Sequence, residues 1–224
     1  MTLWRPVGLT ELALMFDAKM RAFPPRLPEQ PIFYPVTNFG YAQQIARDWN
    51  ASAENEVGYV TEFEIPDEYA AQFERHVVGG REHEELWVPA EQLPDFNSRI
   101  QPPIRVVAAY FGDGFRGSVP EQFGLRGKDA TEQLACLTEW LPYSSFDVWC
   151  ETAANSKAIF LNFLFWVRAC TPAGRTLTEA ERRVIDFIQQ RWSELDCGFG
   201  LPTHEPAGAL LTPQPGRVQD SFPP

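Results

Sequence analysis

Basic residues are scarce in this sequence. Nineteen Lys and Arg face 30 Asp and Glu in 224 residues, a formal net charge of -11. Non-specific affinity for nucleic acid comes largely from Lys and Arg neutralising phosphates, so this balance argues against a nucleic-acid binder. Cysteine and histidine are few as well. Cys136, Cys150, Cys170 and Cys197 all fall in the second half, none in a CxxC pair, and the 3 His show no paired-ligand spacing. A metal site is therefore not expected. Long apolar runs are missing too. The most apolar one, Ala158 to Ala169, carries Asn162 and Arg168. It falls well short of the ~20 residues that span a bilayer, and reads as a buried core helix. The first residues lack the cationic-then-apolar pattern of a signal peptide. Together these absences predict a soluble, cytoplasmic chain with reduced thiols and no membrane partner. The phosphate loops GxGxxG and GxxxxGK[ST] are absent, as are the GxSxG elbow and HExxH. Cys150 and His204 could pair as thiol and base, but a structural Cys150 in an apolar strand is the simpler reading.

What is plentiful is apolar and aromatic material. Hydrophobic residues make up 44% of the chain, with 17 Phe and 7 Trp, enough for a substantial core. The 20 Pro should punctuate loops. Short strands are predicted at Leu3 to Val7, Ile32 to Val36, Val57 to Ile65, His76 to Val78, Glu84 to Val88 and Ile104 to Tyr110. Pro35 places the second of these toward a sheet edge. Between them fall helices from Leu9 to Met20 and from an Asn38 N-cap to Trp49, and short helical stretches over Asp67 to Phe73 and Pro89 to Phe96. The fold class is α+β, with a mixed or antiparallel sheet and short helices over residues 1–111. The glycine-rich stretch Phe111 to Gly127 marks a boundary. A mainly helical module over 112–200 follows, with helices from Asp129 to Trp140 and Asn155 to Ala169. A Thr178-x-x-Glu181 capping box opens a last helix, and Ser145 to Glu151 reads as a strand. Residues 201–224 read as a flexible Pro-rich tail.

Several residues invite chemistry. Arg5 lies inside the first strand, where a cation needs a partner. It is either paired with a carboxylate or free to grip a phosphate or ribose with its planar fork. Arg26, in the Pro-rich bend, is a second cation beside a rigid loop. In HEELWVPAEQL (His83 to Leu93), Glu84 and Glu85 point to opposite faces of a strand. One of them must be paired or used. The acidity concentrated between Glu54 and Asp95 reads as a solvated face, or as a docking surface for a cationic partner.

The blocks WRPV (Trp4 to Val7), FPPRLPEQPIFYPV (Phe23 to Val36), YAQQIARDWN (Tyr41 to Asn50) and HEELWVPAEQLPDFN (His83 to Asn97) resemble a family of small bacterial proteins. Its members commonly carry ADP-ribosylation-type names. The layout over roughly residues 3–110 is similar to the mono-ADP-ribosyltransferase fold. That resemblance implies NAD as the substrate. Arg5, with Arg26 nearby, would hold its ribose or phosphate, and Tyr34 would stack on nicotinamide. Glu85 would be the catalytic carboxylate, with His83 on its strand face. Glu84 competes with Glu85 for that role. The chain departs from the pattern in lacking a Ser-Thr-Ser run after the second strand, which Pro35 interrupts. The resemblance implies an ADP-ribosyltransferase or NAD glycohydrolase, with a protein acceptor. The alternative is a non-catalytic acidic binding protein, an immunity or regulatory factor, held to a protein partner by charge.

Overall fold

In the computed structural model, residues 1–51, 56–167 and 176–203 are described. The fold is mixed α+β, with small antiparallel sheets and helices. Strand β1 (Thr2–Val7) pairs antiparallel with β3 (Val57–Glu64), which pairs antiparallel with β6 (Gln101–Phe111). A second sheet has β5 (Glu84–Pro89) between β2 (Ile32–Phe33) and β4 (Glu74–Val77). Val36 joins the two sheets. It bridges Trp4 of β1 on one side and Glu85 of β5 on the other.

As Pro35 suggests, β2 is an edge strand of its own sheet, and only Val36 beyond it is bridged on both sides. The stretch after β2 lies between β1 and β5, and the cost of Pro35 appears as a two-residue β2. Without an N–H, Pro35 can only accept, and its carbonyl takes the Leu86 N–H at 2.8 Å.

Alternation then sorts the side chains. Leu3, Val7, Tyr59, Phe63, Phe33, Leu86 and Val88 point to an inner face and into the main core. Trp4, Val36 and Val60 point to the outer face. There helix α2 (Phe39–Gln44) and a π-helical turn (Ile45–Asn50) cover β1, β3 and β6 with Tyr41, Ala42 and Ala46. Asn38 caps α2 by accepting from the Tyr41 N–H at 2.9 Å. The predicted single helix to Trp49 thus changes pitch at Ile45.

Helix α1 (Leu9–Asp17) is shorter than expected. Lys19 and Met20 adopt positive φ, which ends it. The other predicted elements appear with shifted ends, among them α3 (Asp67–Ala70) and α4 (Leu93–Arg99).

After β6 the chain is helical: α5 (Ala130–Trp140), α6 (Ser145–Ala154), α7 (Ser156–Val167) and α8 (Glu179–Arg191). The expected strand over Ser145 to Glu151 is α6 instead. Ser144 caps it, accepting from the Asp147 N–H at 3.1 Å, and Val148 and Thr152 bury one face at helical spacing. Cys150 is consequently exposed on a helix rather than buried in a strand. Cys170, Arg168 and His204 lie outside the described residues. The predicted capping box at Thr178 opens α8, and Asp129 makes another at α5.

The change from sheet to helix at residues 111–112 is not a break in the core. One apolar cluster runs from Leu3 and Phe63 through Phe160 and Trp166 to Trp192. Tyr59 of β3 donates its hydroxyl to the Leu161 carbonyl of α7 at 2.7 Å. Of the expected tail, Leu201 to Thr203 are described, and the Thr203 N–H donates to the Val106 carbonyl at 3.0 Å. Among the described residues no helix is long and apolar enough to cross a membrane.

Gly58 marks the closest approach in the outer layer. A Cβ there would sit 2.1 Å from the Ala46 carbonyl oxygen, which is backbone and cannot swing aside. Gly58→Ala should force the π-helical turn off β3 and cost about 1–3 kcal/mol, read as a lowered Tm. An unchanged melting curve would show that this contact is not tight.

Candidate functional site

Glu85 sits on the outer face, in register with Val36 and Trp4. Both of its oxygens are held. Oε1 accepts the Tyr41 hydroxyl at 3.0 Å, and Oε2 accepts the Trp87 indole N–H at 3.0 Å. Sequence and register explain the grouping. Trp87 is two residues along β5, so it shares the face of Glu85. Tyr41 is delivered by the capped first turn of α2, and His76 is the direct cross-strand partner of Glu85 in the β4–β5 pair.

Aromatic rings surround the carboxylate. His76 stacks on Trp87 at 3.9 Å between centroids, and His83 stacks on Tyr41 at 4.1 Å. Tyr34 meets Trp87 edge-on at 5.6 Å. Burial, then the charge and hydrogen bond of Glu85, push the Tyr41 phenol up to about 12. Each Glu85 oxygen keeps a lone pair for a ligand hydroxyl, and the flat rings beside it suit a planar ligand group.

Glu84 has a different setting. It points inward, accepts the Thr37 hydroxyl at 2.8 Å and lies 3.5 Å from Arg75. Of the two adjacent glutamates, only Glu85 stands among the aromatic rings.

Arg5 and Arg26 are not on this face. Arg5 projects inward from β1, beside Leu3 and Val7 rather than Trp4. Its Nε donates to Glu11 Oε1 at 3.1 Å, and another guanidinium nitrogen donates to the Tyr34 carbonyl at 3.1 Å. Its guanidinium also lies over the Phe33 ring at 4.7 Å. Arg5 is only 8% exposed, so its fork is committed to protein groups.

Arg26 approaches the same Glu11 oxygen at 3.8 Å. Its buried Nε has no hydrogen-bond partner among the described residues. Burial, and then Arg5, lower the Arg26 pKa, against the opposing pull of Glu11 and the Tyr34 phenol. Two guanidiniums thus share one carboxylate, leaving one positive charge in excess.

The structure therefore brings Tyr34, His83 and Glu85 together, and separately Arg5 and Arg26. Sequence reasoning missed Tyr41, Trp87 and His76 on the outer face, and Glu11 on the inner one. The i, i+2 spacing of Glu85 and Trp87 was a usable signal. So was Glu11, which enters the first turn of α1 just after Gly8 ends β1.

Two clefts of the molecule lie elsewhere. One of about 520 Å³ is lined by Trp192, Phe199 and Leu201 among others, and one of about 270 Å³ lies between α5 and α6. Neither contains Arg5, Tyr34, His83 or Glu85. Among the described residues no group of three or more His, Cys, Asp and Glu could hold a metal ion. Compared with protein-family models, with curated proteins and with solved structures, the chain has no match.

Two outcomes follow from this geometry. Glu11→Gln strips the counter-charge from the buried Arg5 and the half-buried Arg26 and should cost ~3 kcal/mol of stability. Arg26→Met, which removes the unsatisfied Nε and the excess charge, should be neutral or stabilising; chemical denaturation of both variants checks the contrast. A stability loss in Arg26→Met matching that in Glu11→Gln would contradict the charge argument.

Tyr41 offers a second check. Its neutral phenol is favoured in the fold, so its contribution to stability is complete below its ordinary value of 10.0 and is lost as pH rises through about 12. Glu85→Gln removes the nearby charge and should move one phenol's midpoint downward in an ultraviolet titration. Identical curves for variant and wild type would dismiss the Tyr41–Glu85 coupling.

Proposed function

We propose that the chain acts on NAD, breaking the nicotinamide–ribose bond and passing ADP-ribose to a protein acceptor or to water. The observation that supports this reading is the setting of Glu85, a half-buried carboxylate fixed by two donors among aromatic rings. Glu85 would accept a hydrogen bond from the nicotinamide ribose 2′-OH and offset the positive charge that develops on the sugar. The C1′–N bond breaks, and nicotinamide leaves with the electron pair. The acceptor's nucleophile then bonds C1′ and gives its proton to Glu85 or to water. The Tyr34 and Trp87 rings supply stacking surface for the nicotinamide.

Arg5 enters this reading as a positioning residue. It holds the Tyr34 carbonyl from across the sheet and so fixes where the Tyr34 ring can lie. Arg26 serves the same cluster through Glu11.

The separation of Arg5 from Glu85 favours a second reading, that of a non-catalytic acidic binding protein of immunity or regulatory type. On that reading the outer face and the acidic hairpin around β4 and β5 hold a cationic protein partner.

Nicotinamide release by purified protein, with NAD and with or without cell lysate as a source of acceptors, separates the two. The NAD reading expects release that falls about 100-fold or more in Glu85→Gln. No release, together with no thermal shift by NAD, overturns it in favour of the second reading.

A further inference from the structure

The cleft between α5 and α6 lies in the half of the chain that the preceding reading does not use. Its volume is about 270 Å³, and its lining is Gly124, Trp140, Tyr143, Ser144, Asp147 and Glu151. That is too small for a nucleotide but ample for one long side chain. Two aromatic rings and two carboxylates among six residues, with no basic residue in the lining, suit a cation.

The carboxylates are placed differently. Glu151 is anchored: Oε1 accepts the Gly124 N–H at 2.7 Å, and Oε2 accepts the Leu125 N–H at 3.3 Å and the Asn155 side-chain amide at 3.1 Å. The fit at Gly124 is close: a Cβ there would sit 2.8 Å from Glu151 Oε1 and 2.9 Å from the Trp140 ring, so those side chains would have to shift. Asp147 is exposed, and among the described residues no group donates to its carboxylate. It is free to meet an incoming charge.

The rim is apolar. Phe123 and Phe146 are each 69% exposed, and Tyr143 is 89% exposed. Phe123 holds a positive φ of 54°, a costly conformation for a bulky residue. Exposed aromatic rings around a charged hollow have the make-up of a protein contact rather than of a solvated face.

We propose that this cleft receives the cationic side chain, lysine or arginine, of a protein partner, with Phe123 and Phe146 packing on apolar residues beside it. Charge complementarity fixes the occupant. The lining carries the Asp147 and Glu151 carboxylates and no lysine or arginine, so the partner must bring the cation. The site stands independently of any action on NAD.

The test uses the full chain and the capped peptide Ala-Leu-Lys-Leu-Ala. The Gly124 amide and the Trp140 indole N–H are followed by nuclear magnetic resonance. Saturable shifts are expected for the lysine peptide, with affinity about tenfold lower when norleucine replaces lysine. Asp147→Asn, a conservative change at an exposed position, should lose a similar factor, and Phe146→Ser should weaken the peptide without affecting tetramethylammonium. Equal binding of the norleucine peptide, or an unchanged Asp147→Asn, overturns the proposal. Tetramethylammonium binding as tightly as the peptide would make the occupant a small free cation and overturn it too. Shifts of the same resonances with protein concentration alone would assign the cleft to a second copy of the chain, again against the proposal.

Discussion

Val36 exchanges both of its backbone hydrogen bonds with Trp4, at 3.0 and 2.7 Å, and this pair organises the molecule. The segment's other backbone bonds, from the Leu86 N–H to Pro35 and from the Thr37 N–H to Glu84, go to β5, so the joint with β1 rests on this pair. The consequence is one of parity. With Val36 opposite Trp4 on one side and Glu85 on the other, all three side chains share the outer face. Phe33, Arg5 and Leu86 then take the inner face. A slip of one residue would exchange the two sets and bury the Glu85 side chain in the main core. The two hydrogen bonds are modest in energy, but the register they select is enforced by every apolar residue that the slip would expose.

The inner cluster gains meaning from the same register. Arg5 reaches the Tyr34 carbonyl because β1 and the 34–37 segment run side by side, and it reaches Glu11 because α1 starts immediately after β1. Three elements are tied by one guanidinium. A lysine could not do this, since it lacks the fork that spans two acceptors at once. Arg26 adds a charge without adding a good bond, which makes it the weak member of the group.

Much of the fold was legible in the residues. Asn38, Asp129 and Thr178 announce helix starts because their side chains can accept from an N–H two or three residues ahead. The strands from Val57 and Glu84 announce themselves by β-branched and aromatic content. The segment SFDVWCE misleads because Phe146, Val148 and Cys150 alternate with polar or large residues, a period-two pattern. The cap at Ser144 and the buried pair Val148 and Thr152 decide for a helix. The site was legible only up to register. Adjacent glutamates on a strand must face opposite ways, yet nothing local says which way each faces. The pairing of Arg5 with Glu11, like that of Glu85 with Tyr41, is a contact between elements that only the assembled sheet defines.

The outer face holds two carboxylates whose comparison sharpens the case for Glu85. Glu62 and Glu85 each accept from an indole N–H at 3.0 Å, Trp4 for the first and Trp87 for the second. Glu62 also takes the guanidinium of Arg105 and is buried. Its charge is matched, so its role is structural, holding β3 against β6 beneath the aromatic cover. Glu85 instead receives a phenol, and among the described residues no lysine or arginine reaches it. A carboxylate fixed by neutral donors keeps its full charge available to a cation that forms or arrives beside it, and keeps it oriented at no further entropic cost. Two indoles thus support one glutamate that is paired with a guanidinium and one that is held by neutral donors. The difference lies wholly in whether a guanidinium stands on the far side.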